Sequence, residues 1–289
     1  MSKIVLGTAQ FGMPYGVANS NGKLSQIQIR EILLKAKSNG ISSLDTAIGY
    51  GNSESNIGKS GIKGLDIITK LSSPLGSNIN IKSWVQNQIQ NSLSRLNIDY
   101  LSGVLLHDVK QLRATEGKET WLALQNLKKY GLIKKIGFSI YDTSELDEFF
   151  FNFQPDIVQA PYNVLDRRLA NTGWLQKIHD ENAEIHVRSV FLQGLLLMKK
   201  KQRPEKFNYW SNIWEEWETW LKENNYTALQ ACLAFALLDN SINKVIIGID
   251  SLIQLEEILS TDCTKITRFP CFESINNLDL INPTRWNSL

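Results

Sequence analysis

The chain alternates short aliphatic runs with longer segments whose apolar residues recur at helical spacing. The runs predict eight strands: 3–7 (KIVLG), 41–45 (ISSLD), 65–70 (LDIITK), 100–107 (YLSGVLLH), 133–139 (IKKIGFS), 156–160 (DIVQA), 183–189 (AEIHVRS) and 243–248 (NKVIIG). Helices are predicted between them, from about Ser25 in the first unit to 251–259 in the last. In the first helix Ile27, Leu33, Leu34 and Ala36 are expected on one buried face, with Gly40 closing the end. The segment from Ser144 carries Leu146, Phe149 and Phe150 on a like face. Trp210, Trp214, Trp217 and Leu221 also recur at helical spacing and read as core or interface packing.

Eight strand–helix units rich in Val, Ile and Leu predict a parallel sheet covered on its outer side. Eight units close into a (β/α)₈ TIM barrel, an α/β fold of one domain over 1–289 with 261–289 as a C-terminal tail. The alternative is an open doubly wound sheet, which usually carries a glycine fingerprint for nucleotides. Gly49-x-Gly51 is followed by Glu54 where that fingerprint needs glycine. Gly58-Lys59-Ser60 resembles the end of a P-loop, but the leading glycine falls at Ser53. Both motifs fail.

Composition removes other classes. Hydrophobic residues make up 43% of the 289 and charged residues 21%, which suits a packed globular core and not a disordered chain. Thirty-one Lys and Arg against 29 Asp and Glu leave a net charge of +2, so nucleic acid is not an expected partner. No apolar run reaches the ~18 residues of a membrane span, and the N-terminus lacks a secretory pattern. Cys232, Cys263 and Cys271 have no CxxC spacing. These features point to a soluble cytoplasmic protein. His179 and His186 are seven apart with no carboxylate or cysteine pattern, so no metal site is predicted.

In such a barrel the chemistry sits at the C-terminal ends of the strands. Those ends carry Thr8, Asp45, Lys70, His107, Ser139, Gln159, Arg188 and Gly248, with Tyr50 in the loop after Asp45. Taken singly, Asp45 reads as a turn residue, Lys70 as a surface cation, Tyr50 as packing and His107 as a strand-end histidine. Their joint placement favours a proton-transfer set. A nearby ammonium is expected to lower a tyrosine's pKa from its usual ~10, a carboxylate to keep that lysine charged, and a histidine to orient a carbonyl. Such a set needs no metal.

The stretches LDTAIGYG, ITK and LLHD, with GTAQFG, IDYLSGVLLHD, KIGFSIYD, VQAPYNVLDRR and VIIGIDSLIQLEE, resemble the aldo-keto reductase family from about Gly7 to Glu257, and its aldose dehydrogenase-like branch in particular. The resemblance implies a barrel that binds NADP, or NAD, without a Rossmann fold. It implies an oxidoreductase that interconverts a small aldehyde or ketone, such as a sugar, and the alcohol. Tyr50 then matches the proton donor, Lys70 and Asp45 the pair that tunes it, and His107 the residue that orients the carbonyl. Ser139 and Gln159 match positions that hydrogen-bond the nicotinamide carboxamide. Two readings from other classes stand beside it: a cofactor-binding regulatory barrel, and an isomerase or lyase using the same proton-transfer set.

The chain departs from the family pattern in two places. Arg188 stands where many members stack an aromatic residue on the nicotinamide; a guanidinium stacks on a ring or pairs with phosphate. After the eighth strand, Gln254 and Ile258 replace commonly basic and amide positions, with Asp250 close by, so NADP is favoured less than cofactor binding itself. Ser251, Gln254 and Glu257 are the expected adenosine and phosphate contacts. Phe11, Tyr15 and Phe191 are expected pocket walls. The basic run 198–206 is read as a solvated loop ahead of a phosphate clamp. Phe269, Phe272 and Trp286 place the tail either over the barrel mouth or against its outside.

Overall fold

The computed structural model describes residues 2–19, 22–74, 79–272 and 277–288. The side chains of 287 and 288 lie outside that description, as do 273–276 and 289 of the predicted tail. Eight parallel strands close into a barrel in sequence order: β1 (Ile4–Gly7), β2 (Ser43–Asp45), β3 (Asp66–Leu71), β4 (Gly103–Leu106), β5 (Ile136–Ser139), β6 (Ile157–Pro161), β7 (Glu184–Arg188) and β8 (Lys244–Gly248). β8 pairs with β1 to complete the ring. The predicted (β/α)₈ fold is the observed one. The open sheet is excluded by the β1–β8 pairing.

Local signals set the helix ends. Ser25 forms a capping box with Gln28 before the helix Gln26–Ser38, and Thr227 does the same with Gln230 before Ala228–Leu237. Asn97 ends Ile81–Leu96 in the left-handed conformation. The first helix buries Ile29, Ile32, Leu33 and Ala36, an i, i+3, i+4, i+7 stripe. Ile27 and Leu34 were expected on that face. They lie on another, 73% and 49% exposed, because seven residues separate them from each other and five separate Ile27 from Ile32. Leu146, Phe149 and Phe150 are buried as predicted, and so are Trp210, Trp214 and Trp217.

Two hydrophobic clusters result. The large one fills the shell between strands and helices, and the small one, Ile68, Leu105 and Ile157, plugs the barrel interior. Alternate residues of a strand share a face. The inward face that carries Ile68 therefore carries Lys70 two residues later. Leu105 leads to His107 and Ile157 to Gln159 in the same way. The packed floor and the polar ring above it are one periodic pattern. Inside the barrel's other end, His186 Nε2 lies 3.2 Å from a Glu184 carboxylate oxygen, and Lys135 pairs with Glu184 at 2.5 Å.

Among the described residues no helix is long and apolar enough to cross a membrane. Of the tail, Phe272 and Trp286 are buried, Trp286 edge-on to Phe207 at 4.8 Å, while Pro283 and Thr284 border the cavity described next. Of the two alternatives for the tail aromatics, packing against the body is the observed one for Phe272 and Trp286, while Pro283 and Thr284 reach the cavity rim.

Candidate active site

A cavity of about 980 Å³ opens at the C-terminal ends of the strands. Asp45, Tyr50, Lys70, His107, Ser139, Gln159 and Arg188 all line it. At its floor Lys70 is 1% exposed and donates to Asp45 Oδ1 and, at 3.0 Å, to the Thr46 carbonyl. The other Asp45 oxygen accepts from Gln159 Nε2 at 2.7 Å. One buried carboxylate thus joins a cation to an amide. Tyr50 lies above them, with Lys70 Nζ 5.2 Å from its ring centroid. His107 meets the Tyr50 ring edge-on at 5.8 Å, and its Nδ1 is 3.5 Å from Ser72 Oγ.

The Tyr50 loop owes its position to the GTAQFG segment. A Cβ on Gly12 would lie 1.7 Å from the Tyr50 carbonyl oxygen, so only glycine permits this approach. Behind the loop, Ser53 Oγ donates to the Thr8 carbonyl at 2.8 Å, and Thr8 Oγ1 donates to the Asp45 carbonyl at 3.0 Å. These buried hydroxyls tie β1, β2 and the Tyr50 loop together.

The electrostatics correct one expectation. Lys70 was expected to lower the Tyr50 pKa. Instead burial, and next the Asp45 carboxylate, push the Tyr50 phenol above its ordinary value. The Lys70 charge is spent on Asp45 in this arrangement, and burial draws the Lys70 pKa itself downward. Burial lowers His107 from 6.5 to about 4, helped by the Lys70 and Arg188 charges. The site therefore presents a neutral phenol and a neutral imidazole at pH 7. Both are hydrogen-bond donors of the kind a carbonyl oxygen accepts.

Arg188 enters from the end of β7. Nη2 donates to the Ile140 carbonyl at 2.9 Å and Nη1 to Ser189 Oγ at 3.3 Å, and the guanidinium lies 4.6 Å from the centre of the Tyr141 ring. Tyr141 and Ser72 were not predicted. Each lies two residues past a predicted site residue, Ser139 and Lys70, so strand alternation carried beyond the strand end would have indicated them.

Tyr15 and Phe191 line the cavity, whereas Phe11 does not. Phe11 is wholly buried in the core, because the short helix Ala9–Gly12 turns its ring inward from the mouth. Gln254 and Glu257 line the far end with Asp250. Ser251, expected as a phosphate contact, is not a lining residue. Its hydroxyl accepts from the backbone N–H of Gln254 at 3.2 Å and so caps the helix Leu252–Ser260. Of the basic run, Met198 and Gln202 reach the cavity and no cation does. Arg203 is instead buried against Trp214 and paired with Glu218 at 2.5 Å. Among the described residues no group of three or more His, Cys, Asp or Glu could hold a metal ion.

The aldo/keto reductase family model matches residues 3–266, nearly the whole chain. This chain belongs to the aldo/keto reductase family. It is 32% identical over 220 residues to the NADH-specific methylglyoxal reductase of Escherichia coli, a match covering 68% of this chain and 65% of that one. It is 28% identical over 180 residues to a glyoxal reductase of Bacillus subtilis, covering 58% of this chain and 59% of the relative. The chain thus matches somewhat under two thirds of the length of these curated relatives. Among solved structures, the holo form of an aldo-keto reductase from Bacillus halodurans superposes with a TM-score of 0.70 at 21% identity, over 93% of this chain and 88% of that one. That likeness shows the shared barrel.

Family members bind a nicotinamide dinucleotide, and one observation tests whether these residues fit it. Gln159 is fully buried, and its Oε1 accepts no hydrogen bond among the described residues. A buried acceptor left open is costly. It faces the cavity floor beside Ser139, where a carboxamide N–H₂ would satisfy it. The residues fit the group.

Proposed function

We propose that this chain is a nicotinamide-dependent oxidoreductase that interconverts a small, polar aldehyde or ketone and its alcohol. The observation that carries the reading is the Asp45 carboxylate held between Lys70 and Gln159, beneath Tyr50 and His107. It fastens the proton-transfer residues to a buried amide whose open acceptor suits a carboxamide.

Ser139 and Gln159 hold the nicotinamide end, and Gln254 and Glu257 the adenosine end. When bound, the reduced nicotinamide supplies a hydride to the carbonyl carbon. His107, neutral at physiological pH, orients the carbonyl through a ring N–H. Tyr50 keeps its phenolic proton until negative charge develops on the carbonyl oxygen and then gives it up. Lys70 lies close enough to steady the phenolate that remains, and Asp45 keeps Lys70 in place.

NADH is the favoured cofactor over NADPH. Among the described residues the far end of the cavity presents Asp250 and Glu257 and no lysine or arginine, so a 2′-phosphate would meet carboxylates. The name of the Escherichia coli relative agrees with this preference. Methylglyoxal and glyoxal, the substrates in the names of two relatives, are the first compounds to test. Consumption of NADH in step with alcohol formation supports the reading. A folded protein that binds neither NADH nor NADPH contradicts it.

A further inference from the structure

Arg188 is the feature of the cavity that the proposed reaction leaves unexplained. Arg95, Arg113, Arg168 and Arg203 each hold a carboxylate. Arg188, like Arg30 and Arg167, holds only neutral acceptors, in its case the Ile140 carbonyl and the Ser189 hydroxyl, but among the described residues it is the arginine that lines the cavity. Among the described residues no carboxylate lies within salt-bridge distance of it. A guanidinium has five N–H donors. Nε–H and one N–H on each terminal nitrogen are therefore left without an acceptor among the described residues.

The surroundings keep this cation in one place. Tyr141 covers one face of the guanidinium. The chain just beyond it is held in a costly form: Ser189, Leu192 and Gln193 all have left-handed backbone, with φ of 61°, 47° and 53°. Asn163 Nδ2 donates to the Ser189 carbonyl at 3.0 Å, and the Ala18 amide donates to the Gln193 carbonyl at 3.3 Å. Strain fixed by specific partners beside a site residue is what aiming a side chain requires. Arg188 also acts electrostatically on Tyr50, Lys70 and His107, which places it at the reacting end of the cavity and not at the adenosine end. A role limited to stacking on a ring would leave its in-plane donors unused in a partly desolvated site.

We propose that Arg188 binds an anionic group of the substrate, so that the preferred carbonyl compound carries a carboxylate or phosphate. This rests on the oxidoreductase reading above and narrows it to a substrate class. The anionic group takes no part in bond making; it fixes how the carbonyl lies against Tyr50 and His107. Carboxylates and phosphates both match the planar fork of a guanidinium.

The test compares matched pairs with NADH as cofactor. Succinic semialdehyde is set against butyraldehyde, and glyceraldehyde 3-phosphate against glyceraldehyde. The kcat/KM ratio within each pair is measured for wild type, Arg188→Met and Arg188→Lys, with circular dichroism and the NADH Kd as checks on each variant. Wild type should favour the charged member of at least one pair by about tenfold to a hundredfold. The favoured pair tells carboxylate from phosphate. The ratio should collapse in Arg188→Met and persist in part in Arg188→Lys. Ratios near one in wild type, or a ratio that survives Arg188→Met, overturn the proposal. So does an equal loss on both members with a weakened NADH Kd, which would assign Arg188 to the cofactor. If folded wild type turns over no carbonyl, the oxidoreductase reading has failed by itself. Titration of succinate and inorganic phosphate into the cofactor-free proteins then decides the anion site: binding lost in Arg188→Met supports it, and no binding overturns it.

Discussion

Gln159 and Asp45, 114 residues apart in the chain, meet at 2.7 Å on the barrel floor. The bond uses the amide's donor and leaves its acceptor facing the cavity. Gln159→Leu keeps the volume and removes both functions. It should weaken NADH binding about tenfold, the worth of one good hydrogen bond in a buried site. Quenching of tryptophan fluorescence gives the Kd, since the chain has eight Trp. An unchanged Kd would mean the amide does not touch the cofactor.

The Lys70–Asp45 pair is nearly dry, with side chains 1% and 5% exposed. Breaking such a pair leaves one charge buried alone, at a cost of about 3–5 kcal/mol. Lys70→Met should therefore destabilise the fold by that order in urea unfolding. Adding Asp45→Asn should recover part of the loss, because the lone carboxylate is gone. A double variant less stable than Lys70→Met by the full cost of a second buried charge would show that the pair is not coupled as described.

Acid should erode stability in two stages. His107 is held near 4 against an ordinary 6.5, so the unfolded chain takes up its proton first. Stability is full above pH 6.5 and falls as the pH drops from 6.5 to about 4. Glu184 is lowered from 4.5 to about 2, chiefly by the hydrogen bond from His186 and next by Lys135. Its contribution is present above pH 4.5 and is lost between 4.5 and 2. Urea midpoints measured against pH should show both stages. In His107→Gln the upper stage should flatten and the lower one stay. An unaltered upper stage would place its cause elsewhere.

The carboxylates at the far end of the cavity imply a charge-dependent choice of cofactor. Glu257→Lys should tighten NADPH relative to NADH by about three- to tenfold, and added salt should shrink the change because the position is exposed. Side-by-side Kd values in low and high salt check it. A variant with no relative gain for NADPH would show that the 2′-phosphate lies away from Glu257.

Much of this was legible in the sequence because one period-2 pattern encodes both the barrel plug and the polar ring. Ile68 and Lys70, Leu105 and His107, and Ile157 and Gln159 are each the same face read at two heights. Loop residues were harder. Phe11 follows a strand end as Tyr15 does, but a four-residue helix turns it into the core. Ser251 follows a strand end as a phosphate contact would, yet it does not line the cavity and its oxygen accepts from the backbone N–H of Gln254 as a helix cap. Spacing shows which residues lie after a strand, but not which way a short helix faces or which side chains reach the cavity. The Tyr50 shift was misjudged for a related reason. The sequence pairs Asp45 with Lys70 beside the tyrosine, while only the structure shows how deeply Tyr50 is buried, and burial outweighs the lysine.

The most direct test is a comparison of Tyr50→Phe with wild type, reading NADH-dependent carbonyl turnover and the NADH Kd on the same preparations. Removing the phenolic proton should lower kcat by about 10²–10⁴, the usual worth of a positioned acid. The Kd should stay within about twofold, because Tyr50 is not among the residues assigned to hold the cofactor. Turnover at the wild-type rate in Tyr50→Phe would contradict the account, since the proton would then come from another group.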